Sequence, residues 1–419
     1  MDLNILKNCY LTDIRFLIFS FLLLSFSLSV ANEDIFNIEF FKNTKWLFFF
    51  MAAVLSLFSV SKIRNKKSPF FKITRTLMGF FVCVLCFSTL SNSYNIEEAA
   101  LRALSFFLLY FITFIFPLFS LREHDDSKIF FGILCVCGFY IFGSLIFIAA
   151  DYSFSGGRMR GITNNANTLG SLAAIFITGY YGYIKCAKHA HGIVTKLITY
   201  GLLLLSIVIV YLTQSRSAMA ATVTGVLCIQ FYFRNYRNMV IFVFTILLVY
   251  FFLNVINDIF SVELLSDLYA EREYGGEGRT TIWQEQLDRF YTSPLIGVGM
   301  EIRTDISTAR RGGESSFTEL LATTGLLGFI PFMSSIIMVF KYNIININGF
   351  FSKAIRDSHP NLRAPLLGMM VTVITNSIGE GFIAAVGSLP SIVFWFLLSY
   401  LSLDKRQKLN RVFSSSIVQ

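Results

Sequence analysis

The basic residues between Asp258 and Glu314 are all arginine: Arg272, Arg279, Arg289, Arg303, Arg310 and Arg311. The stretch is polar, while the chain on either side is apolar, and a long segment of this kind among short connections is where function tends to sit. A guanidinium stays charged at any physiological pH and presents a planar fork of donors that fits phosphate oxygens two at a time. Further forks stand at Arg158 and Arg160, just before Asn164, Asn165 and Asn167, and at Arg216 in Thr213-Gln214-Ser215-Arg216-Ser217. Carboxylates accompany them: Glu314 and Glu319 where an apolar run begins, and Glu380 in Asn376-Ser377-Ile378-Gly379-Glu380-Gly381. Together these residue types can stabilise an anionic leaving group with several oxygens while a carboxylate takes the proton of an attacking hydroxyl.

Each feature also has an ordinary reading. Asparagines cap helix starts, although a helix N-terminus favours an anion as well. Glu314 suits a helix dipole. Arg216 lies between two apolar runs, and a charge at membrane depth costs about 2.5–3.5 kcal/mol at a helix centre. It is therefore expected to face a polar cavity. Gly275, Gly276 and Gly278 permit tight turns, after which Thr281 to Tyr291 is expected to form an amphipathic helix along the membrane surface, with Trp283 and Leu287 on one face. No strand precedes these glycines, so they make no nucleotide fingerprint. The spacing of Cys83/Cys86 and Cys135/Cys137 resembles metal sites, but both pairs fall inside apolar runs and read as packing. No metal or cofactor is expected.

The elements that must position these groups are membrane spans. The chain has 419 residues, 55% of them hydrophobic, with a mean hydropathy of +0.63. This is the composition of an all-α polytopic membrane protein. The apolar runs predict about twelve transmembrane helices: Ile14–Val30, Trp46–Ser61, Thr76–Leu90, Leu101–Leu121, Ile129–Ala150, Ala166–Ile184, Leu197–Leu212, Ala218–Phe233, Met239–Val255, Phe317–Phe340, Pro365–Ile383 and Pro390–Leu403. The net charge of +9 then reads as cytoplasmic loops obeying the positive-inside bias, not as a nucleic-acid surface. With both termini cytoplasmic, most of the 35 basic residues fall inside, and Lys42 and Lys45 are the only lysines left outside. All four histidines (His124, His189, His191, His359) fall in cytoplasmic loops. The expected organisation is a membrane bundle over 1–257, a long, partly helical periplasmic loop over 258–313, a second membrane segment over 314–403 and a cytoplasmic tail over 404–419.

In this setting the order of motifs resembles the O-antigen ligase and O-antigen polymerase superfamily. The resemblance rests on Arg-x-x-Gly followed by Asn from Arg158, Thr-Gln-Ser-Arg-Ser from Thr213, Gly-Arg-x-x-x-Trp at Gly278 to Trp283, Pro-Leu-Ile-Gly-Val-Gly from Pro294, and Glu-Ser-Ser-Phe-x-x-x-Leu-x-x-x-Gly-Leu-Leu-Gly from Glu314. It spans Arg158 to about Glu380; the first 150 residues match only as membrane spans. Such proteins are bacterial inner-membrane glycosyltransferases that move glycans from undecaprenyl diphosphate on the periplasmic face.

The resemblance implies that Arg216 and Arg279 hold the lipid diphosphate, with Arg160 at a third basic position. Glu314 stands where ligases of lipid A–core carry histidine, which favours the polymerase branches and makes Glu314 the candidate base, with Glu319 as the alternative. Arg158, Asn167, Trp283, Arg303, Arg310, Arg311 and Glu380 complete the expected diphosphate- and glycan-binding set. The implied partners are an undecaprenyl-diphosphate-linked oligosaccharide, an acceptor glycolipid and membrane lipids, with a chain-length regulator and a flippase as helpers. Rival readings are a ligase delivering glycan to lipid A–core or protein, and a transporter or flippase. A transporter would place its site at the midplane between paired halves, whereas the unusual charges here gather on one side.

Overall fold

The computed structural model describes residues 19–20, 22–23, 46–54, 69–92, 96–115, 125–149, 153–155, 157–186, 193–245, 273–300, 315–345 and 362–403. Its helices are α1 (Pro69–Asn92), α2 (Ile96–Tyr110, continued by a π-helical turn Phe111–Ile115), α3 (Asp125–Ile146), α4 (Ala166–Cys186), α5 (Ile193–Leu212), α6 (Arg216–Tyr232), α7 (Glu273–Thr292), α8 (Ser316–Ile345), α9 (Arg363–Gly379) and α10 (Leu389–Leu401). A two-residue antiparallel pair, β1 (Phe154–Ser155) with β2 (Arg158–Met159), lies between α3 and α4. Much of the expected first span falls outside the described residues.

The helices form because long apolar runs satisfy their own backbone, as a bilayer demands. Three are long and apolar enough to cross a membrane: Phe70–Asn92, Ser127–Ile146 and Ser316–Ile344. Shorter apolar helices run over Ala99–Ile115, Leu197–Leu212 and Leu389–Leu401. Their outward faces are greasy. On α5, Leu197, Leu204, Ile207, Val208 and Tyr211 are exposed, and on α1 so are Ile73, Phe80, Phe87 and Leu90. An apolar surface of this extent belongs against lipid, and the chain is a membrane protein.

Inside, Trp395 of α10 is fully buried among Phe81 of α1, Phe106 and Phe114 of the α2 segment, and the Phe81 ring also meets Phe332 of α8. A second contact joins α4, α6 and α9 through small and hydroxyl residues. Thr372 Oγ1 donates to Thr178 Oγ1 at 2.9 Å, and Thr224 Oγ1 to Thr375 Oγ1 at 3.0 Å. Gly225 stands opposite Thr178 and Thr372. Such seams let membrane helices approach closely and hydrogen-bond where apolar burial alone cannot drive association.

These contacts fix direction. The helices α4 and α6 run alike and α9 runs against them; α1 runs against α8, with Ser88 at Thr323 and Phe70 stacked on Tyr342. The starts of α4, α6, α8 and α10 and the ends of α1 and α9 therefore share one end of the bundle, termed here the Arg216 end. The sequence expected this end to be periplasmic.

Two spans and the loop helix differ from expectation. The eleventh, expected to reach Ile383, stops at Gly379, and turns occupy 380–388. The tenth is not continuous: α8 breaks at Gly325, with φ 58° and ψ −168°. The loop helix begins at Glu273, so Gly275, Gly276 and Gly278 lie in helix and not in turns. Glycine weakens a helix interior by about 1 kcal/mol relative to alanine but does not forbid it.

Candidate functional site

At the Arg216 end, a hydrogen bond joins two expected site residues, Arg158 and Asn167, and others tie them and Glu380 to their neighbours. Asn165 caps α4: its Oδ1 accepts from the Asn167 amide at 2.8 Å, and its carbonyl from those of Thr168 and Leu169 at 3.1 and 3.2 Å. This frees the Asn167 side chain, whose Oδ1 accepts a bond from Arg158 Nη2. Arg158 Nε donates to the Thr213 carbonyl at 3.0 Å. Thr213 ends the α5 turn, and Ser215 caps α6 by accepting from the Ala218 amide. Gln214 between them is left-handed, with φ 50°. The expected tight link is thus present, and Arg158 is bound to it.

Arg216 is the first residue of α6 and is exposed. A cation at a helix N-terminus opposes the dipole. The helix dipole therefore does not account for an arginine here. Arg160 is half-buried; its amide donates to the Ser153 carbonyl at 2.9 Å, and its carbonyl accepts from the Thr163 amide at 3.0 Å and the Thr163 hydroxyl at 2.6 Å. The backbone around it is fixed.

On the other flank, one turn down α4 from Asn167, Ser171 accepts a bond from Asn376 Nδ2 of α9. Asn376 is 2% exposed, and its Oδ1 has no partner among the described residues. Glu380 follows just past the end of α9 and is half-buried. Its carbonyl accepts from the Ser316 amide at 3.3 Å and the Ser316 hydroxyl at 3.0 Å, fastening the start of α8. Ser316 Oγ in turn accepts from the Ile383 and Ala384 amides at 2.9 and 3.4 Å. Glu314 itself lies two positions before Ser316, outside the described residues, as do Arg303, Arg310 and Arg311. The backbone of Arg279 is part of α7, but its side chain is not among the described atoms.

The break in α8 has a partner. Gly325 interrupts the helix and leaves carbonyls and amides without intrahelical mates. Val298 and Gly299 donate to the Ala322 and Thr323 carbonyls at 2.9 and 3.0 Å, while Leu326 and Leu327 donate to the Pro294 and Leu295 carbonyls at 2.9 and 3.0 Å. The Pro-Leu-Ile-Gly-Val-Gly segment is thus the complement of the Gly-Leu-Leu-Gly break. Non-helical backbone at membrane depth survives only where protein satisfies it, and here every freed group named above is satisfied. From α1, Ser88 Oγ adds a bond to the Thr323 carbonyl at 2.9 Å and Asn92 Nδ2 one to the Gly297 carbonyl at 3.3 Å. The break separates a short arm, Ser316–Thr324, that carries Glu319.

On α7 the face turned to the bundle lies beside the one expected along the membrane surface. Ile282 and Gln286 are buried, Trp283 is half-buried and Leu287 is exposed. The helix packs on α8 because Gln286 Oε1 accepts a bond from Thr318, and a polar face can bind a polar partner as an apolar stripe binds lipid. Arg289 Nη2 reaches the Gly299 carbonyl at 3.5 Å. Sequence reasoning counted Arg289 among the loop arginines without assigning it to the site.

The structure therefore brings together Arg158, Asn167, the Arg216 helix start, Asn376, Glu380 and the start of α8. Glu319, Trp283 and Arg289 belong to the adjoining α7–α8 contact. No group of three or more His, Cys, Asp or Glu suited to a metal occurs among the described residues. No curated protein matches the chain significantly. Residues 201–333, which hold the Thr213–Ser217 link, α6, α7 and the broken half of α8, match the family model described as O-antigen ligase, a match that supports the resemblance to the O-antigen ligase and polymerase superfamily.

Proposed function

We propose that the chain is a polysaccharide polymerase. It takes a glycan from undecaprenyl diphosphate and joins it to the hydroxyl of an acceptor glycolipid at the Arg216 end, on the periplasmic face of a twelve-span inner-membrane bundle. The observation that supports this most is a set of hydrogen bonds, Arg158 to Asn167 and to the Thr213 carbonyl, Asn376 to Ser171, and Ser316 to the Glu380 carbonyl, which ties the segment before α4, the α5–α6 link, the end of α9 and the start of α8 together at the Arg216 end.

In the reaction the acceptor oxygen attacks the anomeric carbon, the bond from that carbon to the phosphate oxygen breaks, and the lipid diphosphate departs with its negative charge. Arg216, Arg279 and the bound Arg158 stabilise that charge, and preorganised donors do this best where water is excluded. Arg160, Arg303, Arg310 and Arg311 extend the basic rim, and Trp283 offers a ring to a sugar. The hydroxyl proton passes to Glu314, whose negative charge also suits the start of α8.

Glu314→Gln keeps the shape and removes the basicity. It is expected to lower polymer formation in membranes by about 10²–10⁴-fold, the usual contribution of a general base. Full polymer from this variant would remove Glu314 from the reaction. A deletion strain separates polymerase from ligase: single lipid-linked repeats mark the former, and long polymer stranded on the carrier marks the latter.

A further inference from the structure

Residues 326–345 of α8 run from the break at Gly325 to the helix end. At 1.5 Å per residue they measure about 30 Å, the thickness of a hydrocarbon core. Their outward side chains are apolar: Leu326, Leu327, Ile330 and Ile337 are exposed. An exposed Lys341 and Tyr342 close the far end, residue types of a membrane interface. On the arm above the break, by contrast, every residue of Ser316–Thr324 is buried or half-buried. The lipid-facing surface of α8 ends where the helix breaks.

From there the apolar surface passes to the loop and to α7. Leu326 and Leu327 donate to the Pro294 and Leu295 carbonyls at 2.9 and 3.0 Å, and Leu295 is 62% exposed and Ile296 38%. Leu287 and Tyr291, one turn apart on α7, are exposed as well and carry the edge onward. This helix has three faces. Ile282 and Gln286 are buried against the bundle, Leu287 and Tyr291 form the apolar edge, and Gln284 and Asp288 are exposed on the polar side. A helix with one apolar and one polar outer face suits the bilayer interface.

We propose that α7 and residues 294–296 form a shelf seated in the leaflet at the Arg216 end, with Leu287, Tyr291, Leu295 and Ile296 against phospholipid at the level of the Gly325 break. The occupant is lipid because the edge continues a surface that a membrane-spanning helix already presents to acyl chains. Arg279 occupies the same helix, two turns before Gln286, so the shelf holds its backbone near headgroup level. Under the glycosyl-transfer reading, on which this functional part rests, a lipid-borne diphosphate arrives at that level.

The test places the photo-reactive amino acid p-benzoylphenylalanine singly in place of Leu287, Tyr291, Leu295, Gln284 or Asp288, and of Ile330 as the spanning reference, in native membranes carrying radiolabelled phospholipid. After irradiation, labelled phospholipid is expected on the protein from Leu287, Tyr291, Leu295 and Ile330 at least about tenfold more than from Gln284 and Asp288. Label from Ile330 alone, equal label from Asp288, or protein adducts in place of lipid at the three edge positions would each overturn the shelf. Leu287→Asp with Tyr291→Asp is expected to cut labelling from position 295 about tenfold and to slow polymer synthesis. Unchanged labelling there would overturn the seating of α7, and unchanged synthesis beside lost labelling would overturn its functional part. Labelling needs no substrate. The full pattern in a chain that never polymerises lipid-linked repeats would support the shelf and sink the glycosyl-transfer reading instead.

Discussion

Arg216→Ala is expected to abolish long glycan chains and to leave single lipid-linked repeats. The expectation follows from two facts about one position. Arg216 opens α6, where the helix dipole disfavours a cation by about 0.3–1 kcal/mol. Alanine there keeps the Ser215 cap and relieves the unfavourable dipole. The amount of protein in the membrane and its thermal unfolding in detergent would separate lost activity from lost structure. The loss itself should be about 10²–10³-fold, the usual effect of removing one donor from a preorganised anion site. Arg216→Lys is expected to fall between, since it keeps the charge and loses the fork. Unaltered chain length in the alanine variant would end the diphosphate-holding role.

The second large effect concerns the broken span. Gly297 and Gly325 both have left-handed backbone, with φ 81° and 58°. A Cβ on Gly297 would overlap the Thr323 carbonyl group, and one on Gly325 that of Leu295. Neither neighbour can yield, because both are backbone held in the reciprocal bonds between the loop and the break. Alanine at either position adds about 1–2 kcal/mol of backbone strain and loosens hydrogen bonds worth about 0.5–1.5 kcal/mol each. The combined loss is expected to exceed about 3 kcal/mol, at the severe end for a single substitution. Melting curves of the purified protein would read it. Gly201→Ala serves as the control, because a Cβ there meets nothing within 4 Å and α5 gains a better helix former. Wild-type melting by Gly297→Ala and Gly325→Ala would show that the two segments do not lock together.

Much of this architecture is visible in the chain itself. Apolar runs mark α3, α4, α5 and α10 to within a few residues, because a helix in lipid must be greasy along its whole length. The cap at Asn165 and the link at Thr213–Ser217 are equally plain, since a short polar side chain between apolar runs has few other uses. The break at Gly325 is hidden in an apolar run because its partners, Pro294 to Gly299, lie some thirty residues earlier and act through backbone atoms. The same holds for Arg158, whose partner at Thr213 is a carbonyl. The packing face of α7 is hidden for a similar reason: Gln286 is buried by a hydrogen bond to Thr318, while Leu287, the better hydrophobe, is exposed, as a side chain along the membrane surface would be. Hydropathy alone does not reveal a polar packing face.

The most direct test of the central claim is an experimental structure of the protein in lipid with a polyprenyl diphosphate-linked sugar bound. The account predicts the diphosphate at the Arg216 end, its oxygens hydrogen-bonded to Arg216 and Arg279, with the Glu314 carboxylate in the same hollow, facing the anomeric carbon. A diphosphate seated at the opposite end of the bundle, or Glu314 walled off from both arginines, would contradict it.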